Sequence, residues 1–495
     1  MNAQNGFVLG AGTGTRVVQL AEMGNRHGLV TGATGTGKTV TMQVLAECYS
    51  RLGVPVFAAD IKGDLCGIGQ AGVDHPRIEE RRRLLELDDF AFQGCPVVFW
   101  DVFGRSGHPL RSTISEMGPL LLASLLGLND TQTGLLYACF RIADEQGLLL
   151  LDLKDLRAML AFMSDNASQL RGTYGNISSA SIGAIQRQLL VLEEQGGDVF
   201  FGEPAVNLAD LMHVDFSGNG VISLLDATSL MSKSPKIYAT FLLWLLSELF
   251  EQLPEVGNPD KPVLVFFFDE AHLLFSSAPK ALIDKIEQVV RLVRSKGVGI
   301  YFITQSPADI PDQIVSQLGL KIQHALRAYT PREQKVVRQV AESFRPNPDV
   351  DTVRAITDLA TGEALVSVLD EKGRPGMVRR ILIRPPRSRI GPLDDGQRQQ
   401  LMARSPLKGR YDAAVDRESA FELLQLRAQR SQLQDAAQGK SNESGAGSAL
   451  DWLSGSGRRQ GVGEALVKST VRTIGNQLGR QIVRGLLGSL FGGRK

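Results

Sequence analysis

The chain contains 495 residues, of which 43% are hydrophobic and 22% are charged, with 54 Lys and Arg against 53 Asp and Glu. This composition excludes a chain that is disordered throughout. The net charge of +1 argues against a protein that coats DNA through bulk positive charge, but it does not rule out a local basic channel. Four separated cysteines do not form a disulfide framework, and six histidines make a Cys/His zinc site a poor interpretation.

The first residues, MNAQNGFVLG, lack the basic segment and apolar core of a signal peptide. Every apolar run is well short of the ~18 residues that a membrane-spanning helix requires. We therefore expect a cytoplasmic protein.

Short apolar segments alternate with helical segments along the chain. Several are continuous apolar runs, which is typical of strands that helices cover on both faces. The sequence thus predicts an α/β fold with a parallel sheet. Leu and Met spaced by three and four residues predict a helical insertion over 112–213. The predicted strands are 28–31, 54–59, 96–102, 221–226, 263–268, 298–304, 320–326, 364–369 and 377–383.

The composition changes after residue 385. We predict a helical extension over 386–438, a Gly/Ser-rich linker over 439–461 and a final helix over 462–495. Residues 387–495 contain 18 Lys and Arg against 10 Asp and Glu, a net charge of +8, so the rest of the chain carries −7. The neutral total therefore conceals an acidic body and a basic tail.

Residues 32–39 read GATGTGKT and match the phosphate-binding loop pattern in full. A short apolar strand precedes them and a helical pattern follows. Glycines allow backbone amides to surround phosphates, and the start of the helix adds its dipole. Lys38 is expected to reach the β- and γ-phosphates, and Thr39 to bind Mg²⁺. We assign nucleotide binding to Gly32, Ala33, Thr34, Gly35, Thr36, Gly37, Lys38, Thr39 and Val40.

A second glycine-rich segment, LGAGTGTR at 9–16, has no helical pattern after it. A dinucleotide-binding fingerprint requires a helix at that point. We therefore interpret it as the turn of an N-terminal hairpin.

The apolar run VLVFFF at 263–268 ends in Asp269 and Glu270. A nucleotide motor needs one carboxylate at a strand end to organise Mg²⁺ and another to activate the attacking water. Asp269 suits the first role and Glu270 the second. His272 completes the letters DEAH, but we find no second RecA-like domain, so we reject a DEAH-box helicase.

Several polar residues near the other strand ends have two interpretations each. Gln305 follows the strand 298–304 and is either a γ-phosphate sensor or a turn residue. We predict that Arg327 ends the strand KIQHALR. Arg294 and Arg327 are each either an arginine supplied to an adjacent subunit or a solvated surface residue. Asp60 and Asp64 either organise the site or cap their own loop.

Five segments in order resemble the HerA-like ATPases, and more narrowly the bacterial YjgR-type family of the HerA/FtsK group. They are NRHGLVTGATGTGKT, AADIKGDL, LNDTQTGLLYACFRIADEQGLLLLDLKDL, FFFDEAHLLF and YFITQSPADIP, and the resemblance covers roughly 6–385. It implies a RecA-like P-loop NTPase core of the additional-strand type over 1–385. It also implies a hexameric ring with ATP and Mg²⁺ between subunits.

The resemblance carries the same roles onto matching positions. Lys38 and Thr39 contact phosphate and Mg²⁺, Asp269 organises Mg²⁺, Glu270 is the catalytic base and Gln305 the sensor. HerA itself begins with a β-barrel domain that docks partners. Here the phosphate-binding loop starts at residue 32, so the partner nuclease of HerA does not carry over.

The final segment, 462–495, predicts a basic amphipathic helix interrupted by glycines. Four interpretations stay open: packing on the acidic body, binding to an anionic membrane surface, binding to DNA, or docking into a partner groove. The basic residues of this predicted helix form a stripe beside its apolar face, and they are Lys468, Arg472, Arg480 and Arg484.

These observations predict a Mg²⁺-dependent ATPase that forms a hexameric ring and translocates DNA. The alternative is an ATPase that drives protein translocation or assembly at the membrane, reached through the C-terminal helix. A third possibility, a nucleotide-gated scaffold, is disfavoured by the complete set of Lys38, Asp269 and Glu270.

Overall fold

The structure is a computed structural model that describes residues 6–12, 14–87, 90–275 and 280–438. The predicted linker over 439–461 and the predicted basic helix over 462–495 lie outside these residues. No helix in the described part of the chain has both the length and the apolarity needed to cross a bilayer.

Within the described residues, twelve strands form one sheet in the order β2-β1-β12-β11-β10-β3-β9-β8-β4-β7-β5-β6. The strands are β1 (Gly6–Gly12), β2 (Thr15–Leu20), β3 (Gly28–Thr31), β4 (Val56–Asp60), β5 (Val97–Asp101), β6 (His108–Pro109), β7 (Ile222–Asp226), β8 (Leu264–Phe268), β9 (Val298–Thr304), β10 (Leu320–Gln323), β11 (Glu363–Ser367) and β12 (Arg379–Ile383).

Helices cover the sheet and fill the long connections between strands. They are α1 (Lys38–Arg51), α2 (Pro76–Leu84), α3 (Ile114–Leu126), α4 (Asp130–Glu145), α5 (Leu153–Asp165), α6 (Ala167–Tyr174), α7 (Ser179–Glu194), α8 (Gly197–Phe200), α9 (Leu208–Leu211), α10 (Thr228–Lys233), α11 (Pro235–Gln252), α12 (His272–Phe275), α13 (Lys280–Val293), α14 (Asp312–Val315), α15 (Pro331–Glu342), α16 (Thr352–Asp358), α17 (Asp395–Ala403) and α18 (Ala420–Gln438).

The eight strands from β10 to β6 run parallel, and the antiparallel strands β11, β12, β1 and β2 extend one side of the sheet. Every residue of β8 and β9 is buried. Burial on both faces explains why these strands read as continuous apolar runs. The predicted parallel α/β fold is confirmed, and β9 is the additional strand between β3 and β8.

All nine predicted strands are present, with ends that differ by up to three residues. The glycine-rich segment at 9–16 overlaps β1 and β2, which pair antiparallel as a hairpin, as predicted. The prediction that Arg327 ends a strand is wrong, because β10 ends at Gln323. Beyond that point the Leu326 amide bonds to the carbonyl of Ile356 instead of to a neighbouring strand.

The segment between β6 and β7 contains α3 to α9, and its local sequence explains several helix starts. Asn129 and Asp152 each accept a hydrogen bond from the backbone amide three residues later, and the side chains of Gln132 and Asp155 bond back. These reciprocal bonds satisfy amides that a helix start leaves free. The boundaries predicted for this insertion stay a prediction.

Residues after β12 pack against the strands and helices that precede them. Tyr411 is 1% exposed, and its ring lies 5.1 Å from that of Trp100. The Tyr411 hydroxyl donates to the buried Asp210 carboxylate, which also accepts from Arg410 at 2.7 Å. His108, also buried, bonds to both Ser405 and Asp412. The buried side chains of Asp210 and His108 therefore have hydrogen-bond partners in the extension.

We predict that two substitutions of Tyr411 destabilise the protein to different extents. Tyr411→Phe should lower the free energy of unfolding by about 1–3 kcal/mol, because Asp210 loses a buried donor. Tyr411→Ala should lower it by about 3–5 kcal/mol, because a cavity is added. Urea denaturation measures both. The control Tyr329→Ala removes an aromatic ring that is 83% exposed and should change stability by less than about 0.5 kcal/mol. Equal effects at the two positions would contradict the packing described.

Candidate nucleotide-binding site

The loop between β3 and α1 has the backbone conformation of a phosphate cradle. Gly32, Gly35 and Gly37 have φ values of 152°, 79° and 115°, which side chains rarely permit. Gly37 directly precedes α1, so the helix begins at Lys38. Thr34 and Gly35 are exposed at the tip of the loop. The glycines therefore allow the loop to turn closely over the start of a helix, where anions bind.

Lys38 lies within its own loop. Its side chain is mostly buried, and Nζ donates to the carbonyls of Gly32 at 2.7 Å and Ala33 at 3.1 Å. Burial lowers the pKa of Lys38, whereas the negative charges of Glu270 and Asp269 oppose that shift. The ammonium group is thus held among carbonyls at the position where phosphate oxygens would offer it stronger, charged partners.

His324 packs against the phosphate-binding loop at Gly32. Its Nε2 lies 2.9 Å from the Thr41 hydroxyl, and its Nδ1 lies 2.8 Å from the carbonyl of Glu363. Burial lowers the pKa of His324 to about 4, so the ring is neutral at pH 7. A β-carbon at Gly32 would lie 2.5 Å from the β-carbon of His324. The sequence did not predict this role for His324, because its place directly after β10 is the sole local signal.

The acidic pair lies at the carboxyl end of β8. Asp269 and Glu270 are both buried, and Asp269 accepts a hydrogen bond from the Glu270 amide at 2.9 Å. Glu270 has a φ of 45°, a left-handed conformation that is uncommon for a residue with a side chain. Burial, and next the charge of Glu270, raise the pKa of Asp269 to about 7. A cation bound at this carboxylate would favour its ionised form.

Lys62, a residue that the sequence did not predict at the site, is the closest partner of Glu270 among the described residues. Its Nζ lies 2.6 Å from Oε1 of Glu270, while Gln305 and His272 each lie 3.5 Å from Oε2. Burial disfavours the charged form of Glu270, but the hydrogen bond and charge of Lys62 outweigh it and lower the pKa. The signal in the sequence was the place of Lys62 in the motif AADIKGDL, two residues after the end of β4.

Asp60 caps the loop that carries Lys62. Its two carboxylate oxygens accept hydrogen bonds from the amides of Gly63 at 2.7 Å and Leu65 at 2.9 Å. Burial raises its pKa to about 6. Of the two interpretations, loop capping therefore describes the contacts that Asp60 makes.

The two candidate arginines lie at opposite ends of the parallel strands, with Arg327 after β10 and Arg294 before β9. Arg327 lines a cavity of about 410 Å³ together with Thr34 and Gln305, next to the phosphate-binding loop. Arg294 lies in a short turn directly before β9, at the amino end of the parallel strands. A role for Arg294 at a nucleotide therefore requires the site of another subunit, whereas Arg327 is adjacent to the site of its own chain.

The residues at this edge fit a nucleotide with Mg²⁺. The glycine cradle leaves no room for a side chain at Gly32, and the hydroxyl of Thr39 and the carboxylate of Asp269 are hard oxygen ligands of the kind that Mg²⁺ prefers. The described residues contain no cluster of three or more His, Cys, Asp or Glu suited to a metal.

A lysine in a glycine cradle after β3, and an acidic pair after β8 with one strand between them, define a RecA-like P-loop NTPase fold of the additional-strand type. The chain belongs to the HerA-like helicase family, because the model described as "Helicase HerA-like C-terminal" matches residues 8–495. The predicted resemblance to HerA-like ATPases is therefore confirmed.

Curated relatives are similar over part of their length. A probable helicase of Methanocaldococcus jannaschii is 31% identical over 138 residues, which is 26% of this chain and 25% of that protein. The DNA double-strand break repair helicase HerA of Sulfurisphaera tokodaii is 33% identical over 106 residues, 21% of this chain and 20% of that protein. The chain thus matches about a quarter of the length of these relatives.

Solved structures share the fold. The bacterial conjugative coupling protein TrwBΔN70 has a TM-score of 0.53 and 15% identity, covering 77% of this chain and 89% of that one. TrwB in complex with ADP and Mg²⁺ has a TM-score of 0.50 and 14% identity, covering 78% of this chain and 92% of that one. The RecA-like assignment of the fold is confirmed.

We predict that Gly32→Ala impairs both stability and ATP binding. The new β-carbon would overlap His324 and force the loop to move, which should cost about 1–3 kcal/mol of unfolding free energy. Urea denaturation and titration with a fluorescent ATP analogue measure the two effects. The control Gly134→Ala lies in α4 with open space around it and should stabilise by about 0.5–1 kcal/mol. Unchanged ATP affinity in Gly32→Ala would contradict the cradle.

Proposed function

We propose that this protein is a Mg²⁺-dependent ATPase that acts as a ring-shaped motor on DNA. The observation that carries the ATPase assignment is the shared edge of the sheet. Lys38 lies in the phosphate cradle after β3, and Glu270 lies in a strained conformation after β8. A cation for phosphate oxygens and a carboxylate for the attacking water are the two groups that phosphoryl transfer to water requires.

In this mechanism the loop amides and Lys38 bind the β- and γ-phosphates of ATP. Thr39 and Asp269 hold Mg²⁺, which neutralises charge on the phosphates when it is bound. Glu270 accepts a proton from the water that attacks the γ-phosphorus, the bond to the β-phosphate oxygen breaks, and ADP and phosphate leave. Gln305, 3.5 Å from Glu270, orients that water or senses the γ-phosphate.

The ring and the DNA substrate rest on family membership and on the placement of Arg294. The relatives from Sulfurisphaera tokodaii and Sulfolobus acidocaldarius are named DNA double-strand break repair helicases. Arg294 lies away from the phosphate-binding loop of its own chain, as an arginine supplied to a neighbouring subunit must. We propose a cytoplasmic hexamer in which each site lies between subunits. The segment 462–495 would contact the ring body, DNA or an anionic membrane.

Two substitutions test the ATPase assignment. Lys38→Ala should abolish turnover and weaken ATP binding, because the phosphates lose their cation. Glu270→Gln should keep ATP binding and lower kcat by about 10²–10⁴-fold, because the amide cannot accept the proton. Phosphate release and nucleotide titration measure the two quantities. The control Lys372→Ala changes an exposed lysine in the turn between β11 and β12 and should leave both unchanged. Full activity in Lys38→Ala and Glu270→Gln would exclude the proposal.

The substrate is tested by ATPase rates with double-stranded DNA, single-stranded DNA or anionic liposomes at several salt concentrations. We expect stimulation by double-stranded DNA that weakens steeply as salt rises, because phosphate contacts release counterions. No response to DNA, together with liposome binding that is lost when 462–495 are deleted, would instead support the alternative of a protein-translocating ATPase at a membrane.

A further inference from the structure

The carboxylate of Glu270 is held unequally at its two oxygens. Oε1 has a close, charged partner in Lys62 at 2.6 Å. Among the residues that the structure describes, the neighbours given for Oε2 are the Gln305 amide and the His272 ring, each at 3.5 Å. The Glu270 side chain is 8% exposed, whereas that of Lys62 is 44% exposed. One oxygen is therefore fixed, and the other is free to take a stronger partner.

The backbone on both sides of this ion pair is tightly constrained. The loop carrying Lys62 turns at Gly63, whose φ is 78°, and two of its amides bond to the buried carboxylate of Asp60. Glu270 has a positive φ, and the next amide, that of Ala271, bonds to the carbonyl of Ile303 at 2.8 Å. Both side chains therefore start from fixed points, so their contact reflects the fold more than chance surface pairing.

The position of Lys62 in the sheet favours a contact with Glu270 over a contact with phosphate. Lys62 follows β4, which pairs directly with β8, the strand that ends before Glu270. The phosphate-binding loop follows β3, three strands away from β4 in the order β3-β9-β8-β4. At ~4.8 Å per strand the ends of β3 and β4 lie about 14 Å apart, so the charge of Lys62 acts on Lys38 across the site, whereas its direct contact is with Glu270. Lys38 already supplies the cation at the loop.

We propose that Lys62 is a positioning residue for the catalytic base: it holds Oε1 of Glu270 so that Oε2 faces the attacking water. This inference rests on the proposed ATPase function. Lys62 does not touch the nucleotide and takes no proton. It limits the rotation of a carboxylate that must lie within hydrogen-bonding distance of the water at the moment of attack.

The test compares Lys62→Ala, Lys62→Arg and Glu270→Gln in the full chain, together with the double variant. Lys62→Ala should lower kcat by about 10–100-fold, part of what the base contributes, and change the KM for ATP by less than about 3-fold. In the Glu270→Gln background it should lower kcat by less than about 2-fold, because no carboxylate remains to be held. Lys62→Arg should recover part of the loss, because arginine can also pair with a carboxylate.

The matched control is Lys154→Ala, which removes the ion pairs that join the helical insertion to Asp416, at 2.8 Å, and to Glu422, at 3.1 Å, in the extension. It should leave kcat unchanged, and thermal melting should show that all variants fold. A kcat unaffected by Lys62→Ala would overturn the inference alone. A rise in KM with no change in kcat would also overturn it. So would a fall in kcat on Lys62→Ala that is as large in the Glu270→Gln background as in the wild type. A wild-type protein without ATP turnover would overturn the proposed function and this inference together.

Discussion

The parallel pairing of the central strands is the constraint on which the site depends. Because β3, β9, β8 and β4 run in the same direction, the residues that follow each of them meet at one edge of the sheet. Hydrogen bonding fixes the register, with Thr31 opposite Thr304 and Phe268 opposite Phe302. A slip in any pair would separate the phosphate cradle from the acidic pair. The buried apolar strands resist such a slip, because a shift of one residue turns every side chain to the opposite face.

The same arrangement concentrates charge in a poorly solvated place. Lys38, Asp269 and Glu270 are all buried, and burial disfavours each charged form. Their opposite charges compensate one another, and Lys62 adds a cation from the more exposed side. The negative charge of Asp269 is less well balanced by nearby cations than that of Glu270, and the pKa of Asp269 is raised to about 7. A site with this imbalance favours the arrival of a divalent cation together with phosphates.

Local patterns were sufficient for the residues that define the fold. The glycine spacing of GATGTGKT predicted the loop at Lys38, and the continuous apolar run VLVFFF predicted a doubly covered strand ending at Asp269. The end of β10 was not predictable in this way. The segment beyond Gln323 is as apolar as a strand, and the His324 amide still bonds to the carbonyl of Thr31 in β3, but the Leu326 amide bonds to the carbonyl of Ile356. Such a bond joins residues that are distant in sequence.

The sequence by itself determined the fold class, the phosphate-binding loop and the acidic strand end, because each depends on neighbouring residues and on a short spacing. Only the tertiary structure decided that Lys62 contacts Glu270, that His324 supports Gly32, and that Arg294 lies away from the loop of its own chain. The reason is the order of strands in the sheet. Strands that pair in space, such as β4 with β8, are separated by some 200 residues of chain, and no local pattern records which side chains that pairing brings together.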